Sequence, residues 1–241
     1  MKIALCLHGL FNSLTDSTSN GIDGYEHIKK NILMKGNVDV FIHSWDVNNV
    51  DEIIDLYSPK KYIIEKQKDF NDIIISRGLN QLKNTPRPLQ SVLSHLYSVT
   101  EAFKLLYGTN ENYDVVIKGR FDLGRINRNT SGPNRYNQFP VQCINFDSNI
   151  ETNKIYMANW DHFKMGPPDM WFYGSKIIME EFTMLFSLLE KQLYLNSEFH
   201  KFAIEIENNE GDLSNAIAFY KYWMIKNGLW EKRHLLETIW E

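Results

Sequence analysis

Two patterns of hydrophobic and polar residues alternate through the first half of the chain. Flat apolar runs that end abruptly in polar residues occupy residues 2–7, 38–42, 61–65 and 115–117. Such runs are typical of strands buried on both faces of a parallel sheet. Apolar residues at helical spacing occupy residues 25–34, 51–57 and 89–107. The resulting order, β-α-β-α-β-α-β, predicts an α/β protein with a mostly parallel central sheet flanked by helices.

The second half of the chain is less regular. Residues 141–146 and 154–158 predict two further strands, and residues 176–195 and 213–226 predict two helices. The chain of 241 residues contains no repeat, no low-complexity tract and no evident linker. We therefore expect a single domain over residues 1–241.

Composition narrows the class of protein. The formal net charge of -4 and the pI near 6.0 give no basic excess for nucleic-acid binding. Two cysteines, Cys6 and Cys143, provide neither a disulfide framework nor a Cys-x-x-Cys metal site. The sequence shows no signal-peptide pattern and no apolar stretch of about 20 residues. We therefore expect a cytoplasmic protein without a transmembrane segment.

Candidate chemistry follows the fourth predicted strand. Lys118, Arg120 and Asp122 come directly after the apolar run, and in an extended chain these alternate residues share one side. Ligands of parallel α/β sheets bind at the carboxyl ends of the strands. Two cations and a carboxylate there predict a site for a phosphorylated ligand. The alternative is that Arg120 and Asp122 form a structural ion pair.

Four segments in order along the chain carry a family resemblance. They are Ile3-Ala-Leu-Cys-Leu-His-Gly9, Val38-Asp-Val-Phe-Ile-His-Ser-Trp45, Val92-Leu-Ser-His-Leu-Tyr-Ser98 and Tyr113-Asp-Val-Val-Ile-Lys-Gly-Arg-Phe-Asp122. The series resembles glycosyltransferases of polysaccharide clusters and of large DNA viruses and phages, which are thought to have the Rossmann-like GT-A fold. Pro168-Asp-Met-Trp-Phe-Tyr-Gly-Ser175 is similar to their second signature. The resemblance spans roughly residues 1–180.

This resemblance implies a nucleoside-diphosphate-sugar donor, a glycan or lipid-linked acceptor and usually Mn²⁺ or Mg²⁺. It implies a donor-binding half at 1–125 and an acceptor-side half with C-terminal helices at 126–241. Most GT-A enzymes have Asp-x-Asp at the end of the fourth strand, where this chain has Arg120-Phe-Asp122. The cation in place of one carboxylate puts strong metal dependence in doubt. Asp122 remains the candidate metal ligand, because Mg²⁺ often needs only one or two carboxylates.

The resemblance also implies that the loop after the first strand touches the nucleoside. His8, Gly9 and Asn12 lie there, and Gly9 would let the backbone approach a ligand closely. Asp46, after the second strand, could accept hydrogen bonds from ribose hydroxyls or the base. For His8 the alternative is a capping or packing histidine.

Three further residues complete the predicted site. Arg120 could bind a phosphate through two hydrogen bonds, and Lys118 could add a point charge. Asp169, in the turn after Gly-Pro-Pro, is the candidate base that takes the proton of the acceptor hydroxyl. Its alternative role is a cap, since Asp favours such positions.

Other enzyme classes lack their required motifs. Leu7-His-Gly-Leu-Phe-Asn-Ser13 resembles the oxyanion loop of α/β-hydrolases, but the chain has no Gly-x-Ser-x-Gly. It also has neither the dinucleotide-binding Gly-x-Gly-x-x-Gly nor a Walker-type phosphate loop. A non-catalytic sugar-nucleotide-binding or glycan-binding protein with a degenerate GT-A site is the alternative that the Arg substitution favours.

Overall fold

A single sheet extends through the described parts of the chain. The computed structural model describes residues 1–12, 21–81, 88–124, 150–159, 166–206 and 213–237. The strands are β1 Lys2–Gly9, β2 Asn37–Ser44, β3 Lys61–Ile64, β4 Val115–Arg120, β5 Ile155–Ala158, β6 Trp171–Gly174 and β7 Arg233–Leu236. Their order across the sheet is β3-β2-β1-β4-β6-β5-β7, and β6 runs antiparallel to both of its neighbours. The other neighbouring pairs are parallel.

Helices cover both faces of this sheet. They are α1 Gly21–Asn31, α2 Val50–Tyr57, α3 Asn71–Ser76, α4 Leu89–Tyr107, α5 Lys176–Met179, α6 Leu185–Gln192, α7 Glu198–Ile206 and α8 Ala216–Lys226. The first two helices contribute to one apolar layer, and the other six pack on the opposite layer. The prediction of an α/β fold with a mostly parallel sheet between helices is therefore confirmed. None of the described helices is both long and apolar enough to cross a bilayer.

The sequence of β1 is apolar throughout because the strand is buried on both faces. Its side chains alternate between the two layers: Leu5 and Leu7 enter one core, and Ala4 and Cys6 enter the other. All four are fully buried. Helices cover both faces of the sheet over β1, so the alternating polar face of a half-exposed strand is absent.

The longest helix, α4, matches its predicted bounds and fixes one side of the site. It begins after Pro88, and its apolar stripe, which includes Leu93, Leu96 and Phe103, is fully buried against the sheet. At its end, Gly108 N–H donates to the carbonyl of Lys104 at 2.9 Å. Because α4 packs on β1 and β2, polar residues beside its apolar stripe lie over the ends of those strands.

The predicted helix over 176–195 is wrong as a continuous element. The segment forms α5, a 3₁₀ turn at Glu180–Met184 and then α6, which ends at Gln192. The Thr100 hydroxyl of α4 lies between two backbone groups that an α-helix would pair: it accepts from Phe186 N–H at 3.0 Å and donates to the Phe182 carbonyl at 3.4 Å. A tertiary contact thus replaces one backbone hydrogen bond of the helix.

Other differences concern short or weakly patterned segments. The sequence assigned no element to α3, α7 or β7, and β7 is a half-exposed edge strand without an apolar run. The helix predicted from residue 213 begins at Ala216, where the Asn215 side chain accepts from Ala218 N–H at 3.1 Å. The strand predicted at 141–146 lies outside the described residues.

Candidate functional site

Three parallel strands bring their polar ends to one edge of the sheet. In the register of the sheet, His8 of β1 pairs with His43 of β2 on one side and with Arg120 of β4 on the other. The antiparallel strand β6 begins at the same edge, because Trp171 pairs with Gly119. Residues just before β6, including Asp169, therefore lie beside the end of β4.

At the end of β4, Arg120 and Asp122 form a two-pronged ion pair. Arg120 Nε and Nη2 donate to Asp122 Oδ1 and Oδ2 at 2.9 and 2.7 Å. The strand stops at Arg120, and Asp122 lies in the turn at 121–124, so the extended conformation assumed from the sequence ends earlier than expected. The pair is accessible, since 31% of the Arg120 side chain and 23% of the Asp122 side chain remain exposed.

Lys118 is fully buried below this pair. Its Nζ donates to the backbone carbonyl of Asp169 and lies 5.4 Å from the ring centroids of both Phe172 and Tyr220. Burial lowers the pKa of Lys118 to about 7, although the Asp169 carboxylate opposes this shift. No part of Lys118 reaches the surface, so only its electric field could influence a ligand at this edge.

Asp169 joins the cluster through its carboxylate as well as its backbone. Its Oδ2 lies 3.6 Å from Arg120 Nη1 and 3.7 Å from His95 Nε2. Burial opposes ionisation of Arg120, but the charges of Asp122 and Asp169 more than offset it and raise the Arg120 pKa above its ordinary value. The structure thus brings Lys118, Arg120, Asp122 and Asp169 together, while their roles in binding and catalysis stay predictions.

Two residues of the cluster were missed by sequence reasoning. His95 of α4 shares a hydrogen bond of 3.1 Å between its Nε2 and the Tyr220 hydroxyl of α8. A signal for His95 exists in the sequence, because it lies three residues after Val92 and four before Val99, beside the apolar stripe of α4. Tyr220 gives no such signal, since α8 is apolar on most sides.

His8 is a buried histidine that faces this cluster. Its ring packs edge-on against the ring of His95, with 4.9 Å between centroids. Neither of its ring nitrogens has a hydrogen-bond partner among the described residues. Burial and, next, the charge of Lys118 hold the pKa of His8 well below its usual value. A neutral imidazole with unmet hydrogen-bonding capacity is suited to a ligand group.

Gly9 is held through its backbone. Its N–H donates to Ser98 Oγ at 3.0 Å, and its carbonyl accepts from Ser44 Oγ at 2.9 Å and from Trp45 N–H at 3.2 Å. Its φ of 101° favours glycine, and a Cβ at this position would meet no atom of the described residues within 4 Å. Among those residues, open space therefore adjoins the end of β1, and the predicted contact of Gly9 with a ligand stays a prediction.

A second network of hydrogen bonds supports the backbone of Gly9. The Ser98 hydroxyl lies 2.8 Å from His43 Nδ1, and His43 Nε2 lies 3.3 Å from Glu65 Oε1. Ser98 and His43 are both fully buried. The network links β2, the end of β3 and α4, and it holds the backbone of Gly9 in place.

Asp46 and Asn12 hold the loop after β1. Asp46 Oδ2 accepts from Asn12 N–H at 3.0 Å, and its Oδ1 accepts from Asn49 Nδ2 at 2.8 Å. Asn12 Oδ1 in turn accepts from Gly21 N–H at 2.6 Å. Both residues lie beside the site, but these contacts are internal, so a ligand at Asp46 or Asn12 would have to compete with them.

The donor atoms around Asp122 do not fit a divalent metal ion. Both oxygens of its carboxylate accept from Arg120, whose positive charge would repel Mn²⁺ or Mg²⁺. Among the described residues, no group of three or more His, Cys, Asp or Glu side chains converges in a way that could hold a metal. Asp122 as a metal ligand therefore remains a prediction of the sequence alone.

Comparisons with known proteins add little to this geometry. Neither a protein-family model nor a curated protein matches the chain. Among solved structures, the chain is similar to the crystal structure of mouse xyloside xylosyltransferase 1 in its apo form, with 11% sequence identity. The alignment covers 98% of this chain and 85% of the mouse chain, with a TM-score of 0.47. A likeness of this extent assigns neither a family nor an activity to the chain.

Proposed function

We propose that this protein is a glycosyltransferase that moves a sugar from a nucleoside-diphosphate sugar to a hydroxyl of a glycan or lipid-linked acceptor. The observation that carries the proposal is the position of Lys118 and Arg120 beside Asp169, at the carboxyl ends of parallel strands. The sequence resemblance to GT-A glycosyltransferases supports the same function. A cytoplasmic location and a single GT-A-like domain remain predictions from the sequence.

Each residue has a role that follows from its position. In the reaction, the acceptor oxygen bonds to the anomeric carbon while the bond from that carbon to the diphosphate oxygen breaks. The diphosphate leaves with the bonding electron pair, and Arg120 and Lys118 stabilise its negative charge. The hydroxyl proton passes to the carboxylate of Asp169. The nucleoside lies in the open space beside Gly9, with His8 below it.

A second candidate function has its own supporting observation. Arg120 and Asp122 neutralise each other, and Asp169 lies close to both Arg120 and His95. A site whose charges are already balanced could bind a sugar nucleotide or a glycan without reacting. This candidate is a non-catalytic binding protein with a degenerate GT-A site.

A donor panel distinguishes these functions without knowledge of the acceptor. The purified protein is incubated with UDP-, GDP-, ADP- and CDP-linked sugars, with mixed glycan acceptors, in Mn²⁺ or in EDTA. Release of the nucleotide is measured. We expect turnover of one donor class and its loss in Arg120→Met. Binding of a donor without turnover in any condition would favour the binding protein, and neither binding nor turnover would contradict both functions.

A further inference from the structure

The pairing of Asp122 with Arg120 affects how the site could bind a diphosphate. Its two carboxylate oxygens are both taken by the guanidinium of Arg120, at 2.9 and 2.7 Å. A divalent ion that used this carboxylate would displace Arg120 and then stand beside a fixed positive charge. The only other carboxylate described close to Arg120, that of Asp169, lies within 4 Å of Arg120 and of His95. The local chemistry therefore favours anions over divalent cations.

The same geometry suits a phosphate group. The fork of an arginine matches the oxygen pair of a phosphate as well as that of a carboxylate, so Asp122 occupies a position that a phosphate could take. The Arg120–Asp122 pair is partly exposed at the edge of the sheet. Close to it lie the charge of Lys118 and the ring of His8, which is paired with Arg120 in the sheet register and whose nitrogens have no hydrogen-bond partner in the described part of the chain.

The charges of the cluster balance in the absence of a ligand. Arg120 lies between the carboxylates of Asp122 and Asp169, so its positive charge has counter-charges before any ligand binds. An entering diphosphate can exchange with the carboxylate of Asp122, which lies in a turn at the strand end with 23% of its side chain exposed. Arg120 would then change partners without being left unpaired.

We propose that Arg120 binds the donor diphosphate directly, with Asp122 as its exchangeable counter-ion, so that this protein uses its own cations where a divalent metal ion would otherwise neutralise the phosphates. The inference rests on the proposed function, because it assigns the diphosphate of that donor. It gives Asp122 a role opposite to that of a metal ligand: Asp122 competes with the donor for Arg120.

Binding of nucleoside diphosphates tests this directly. UDP, GDP, ADP and CDP are titrated into the 241-residue protein by calorimetry, in EDTA and in Mn²⁺. We expect one of them to bind in EDTA with a Kd within about twofold of that in Mn²⁺. Arg120→Lys keeps the charge but loses the fork, and it should weaken binding more than about tenfold. Asp122→Asn should tighten binding severalfold, because the competing charge is removed.

The possible results distinguish a failure of this inference from a failure of the proposed glycosyltransferase function. Binding that requires Mn²⁺ and is lost in Asp122→Asn would overturn the inference while leaving a metal-dependent glycosyltransferase. An Asp122→Asn variant that binds no more tightly than the wild type would also contradict the counter-ion role. If no nucleoside diphosphate binds in either condition, both proposals are wrong. Asp55→Asn is the matched control, because Asp55 is an exposed carboxylate on α2. Thermal unfolding shows whether each variant is folded. If Asp122→Asn does not fold, binding by Arg120→Lys decides the question.

Discussion

At the scale of single residues, the site depends on charges that are held close together and are partly or fully buried. Arg120 lies between two carboxylates, and Lys118 is fully buried beneath them. Charged groups interact more strongly in such surroundings than at an open surface. Small changes of side chain should therefore have separable effects on chemistry, ligand binding and stability.

Replacement of Asp169 by Asn tests its role as the base. The amide keeps the size of the side chain but cannot accept a proton, so turnover should fall about 100-fold or more. Binding of the donor diphosphate should be retained or tightened, since a negative charge near Arg120 is removed. Initial rates and calorimetry on the same protein give the two values. An unchanged rate would leave Asp169 as a structural residue.

Replacement of Lys118 by Met tests whether the buried amine is neutralised by folding. The folded state releases the Lys118 proton near pH 7, whereas the unfolded chain keeps it to about pH 10. The unfolded state therefore binds more protons between these values, and stability rises with pH in this window. Relative to Lys118→Met, the wild-type free energy of unfolding should increase by roughly 1 kcal/mol per pH unit between pH 7 and 9.

Urea unfolding of both proteins across this pH range measures that difference. Other titrating groups are shared by the two proteins, so their contributions cancel in the comparison. Parallel curves for wild type and variant would show that Lys118 keeps its charge throughout. In that event Lys118 would be a permanent cation in the site at every pH tested.

At the scale of elements, α1 lies directly against the turn that carries Asp122. A Cβ on Gly24 of α1 would overlap the backbone carbonyl of Phe121, and a Cβ on Gly124 would overlap the ring of His27. Gly124 also has a φ of 70°, which favours glycine. The position of the turn, and with it that of Asp122, is therefore set by the close approach of a helix.

Replacement of Gly24 by Ala should push α1 away from the turn. We expect a loss of about 2 kcal/mol or more in the free energy of unfolding, because backbone cannot move aside as easily as a side chain. Gly36→Ala is the matched control: its φ of 174° is ordinary extended backbone, and its Cβ would lie 3.8 Å from Ile3 Cδ1. Urea unfolding compares the two. Equal effects would show that the contact at Gly24 is easily relieved.

At the scale of the whole molecule, folding buries several histidines in neutral form. Burial lowers the pKa of His27 to about 4, and it holds the pKa values of His8 and His43 below the ordinary value. Below about pH 6.5 the unfolded chain gains protons that these residues do not gain in the folded state. Stability should therefore fall as the pH is lowered towards 4.5.

For His27 the expected loss is on the order of 1 kcal/mol per pH unit. Urea unfolding at pH 7.0, 5.5 and 4.5 measures it. His27→Gln cannot titrate, so its stability should depend less steeply on pH than that of the wild type. Identical slopes for the two proteins would show that His27 is protonated without cost in the folded state.

The fold was largely predictable because buried positions recur at regular spacing along the sequence. The alternation of β1 between two cores requires apolar residues at each position, and the apolar stripe of α4 recurs at three and four. The break between α5 and α6 was not predictable, because it depends on Thr100, which is distant in sequence. The edge strand β7 left no pattern, since it is only half buried.

The sequence by itself determined the order of elements and the placement of Lys118 and Arg120 at the end of β4, at one edge of the sheet, with Asp122 just after them, because strand ends are local features. Asp169 reaches the same edge only through the antiparallel pairing of β6 with β4. Only the tertiary structure decided the partners of these residues. His95 and Tyr220 come from helices packed over that edge, and the pairing of Arg120 with Asp122 arises from a turn that α1 holds in place. Distances between side chains on separate elements depend on packing, and packing leaves no local pattern along the chain.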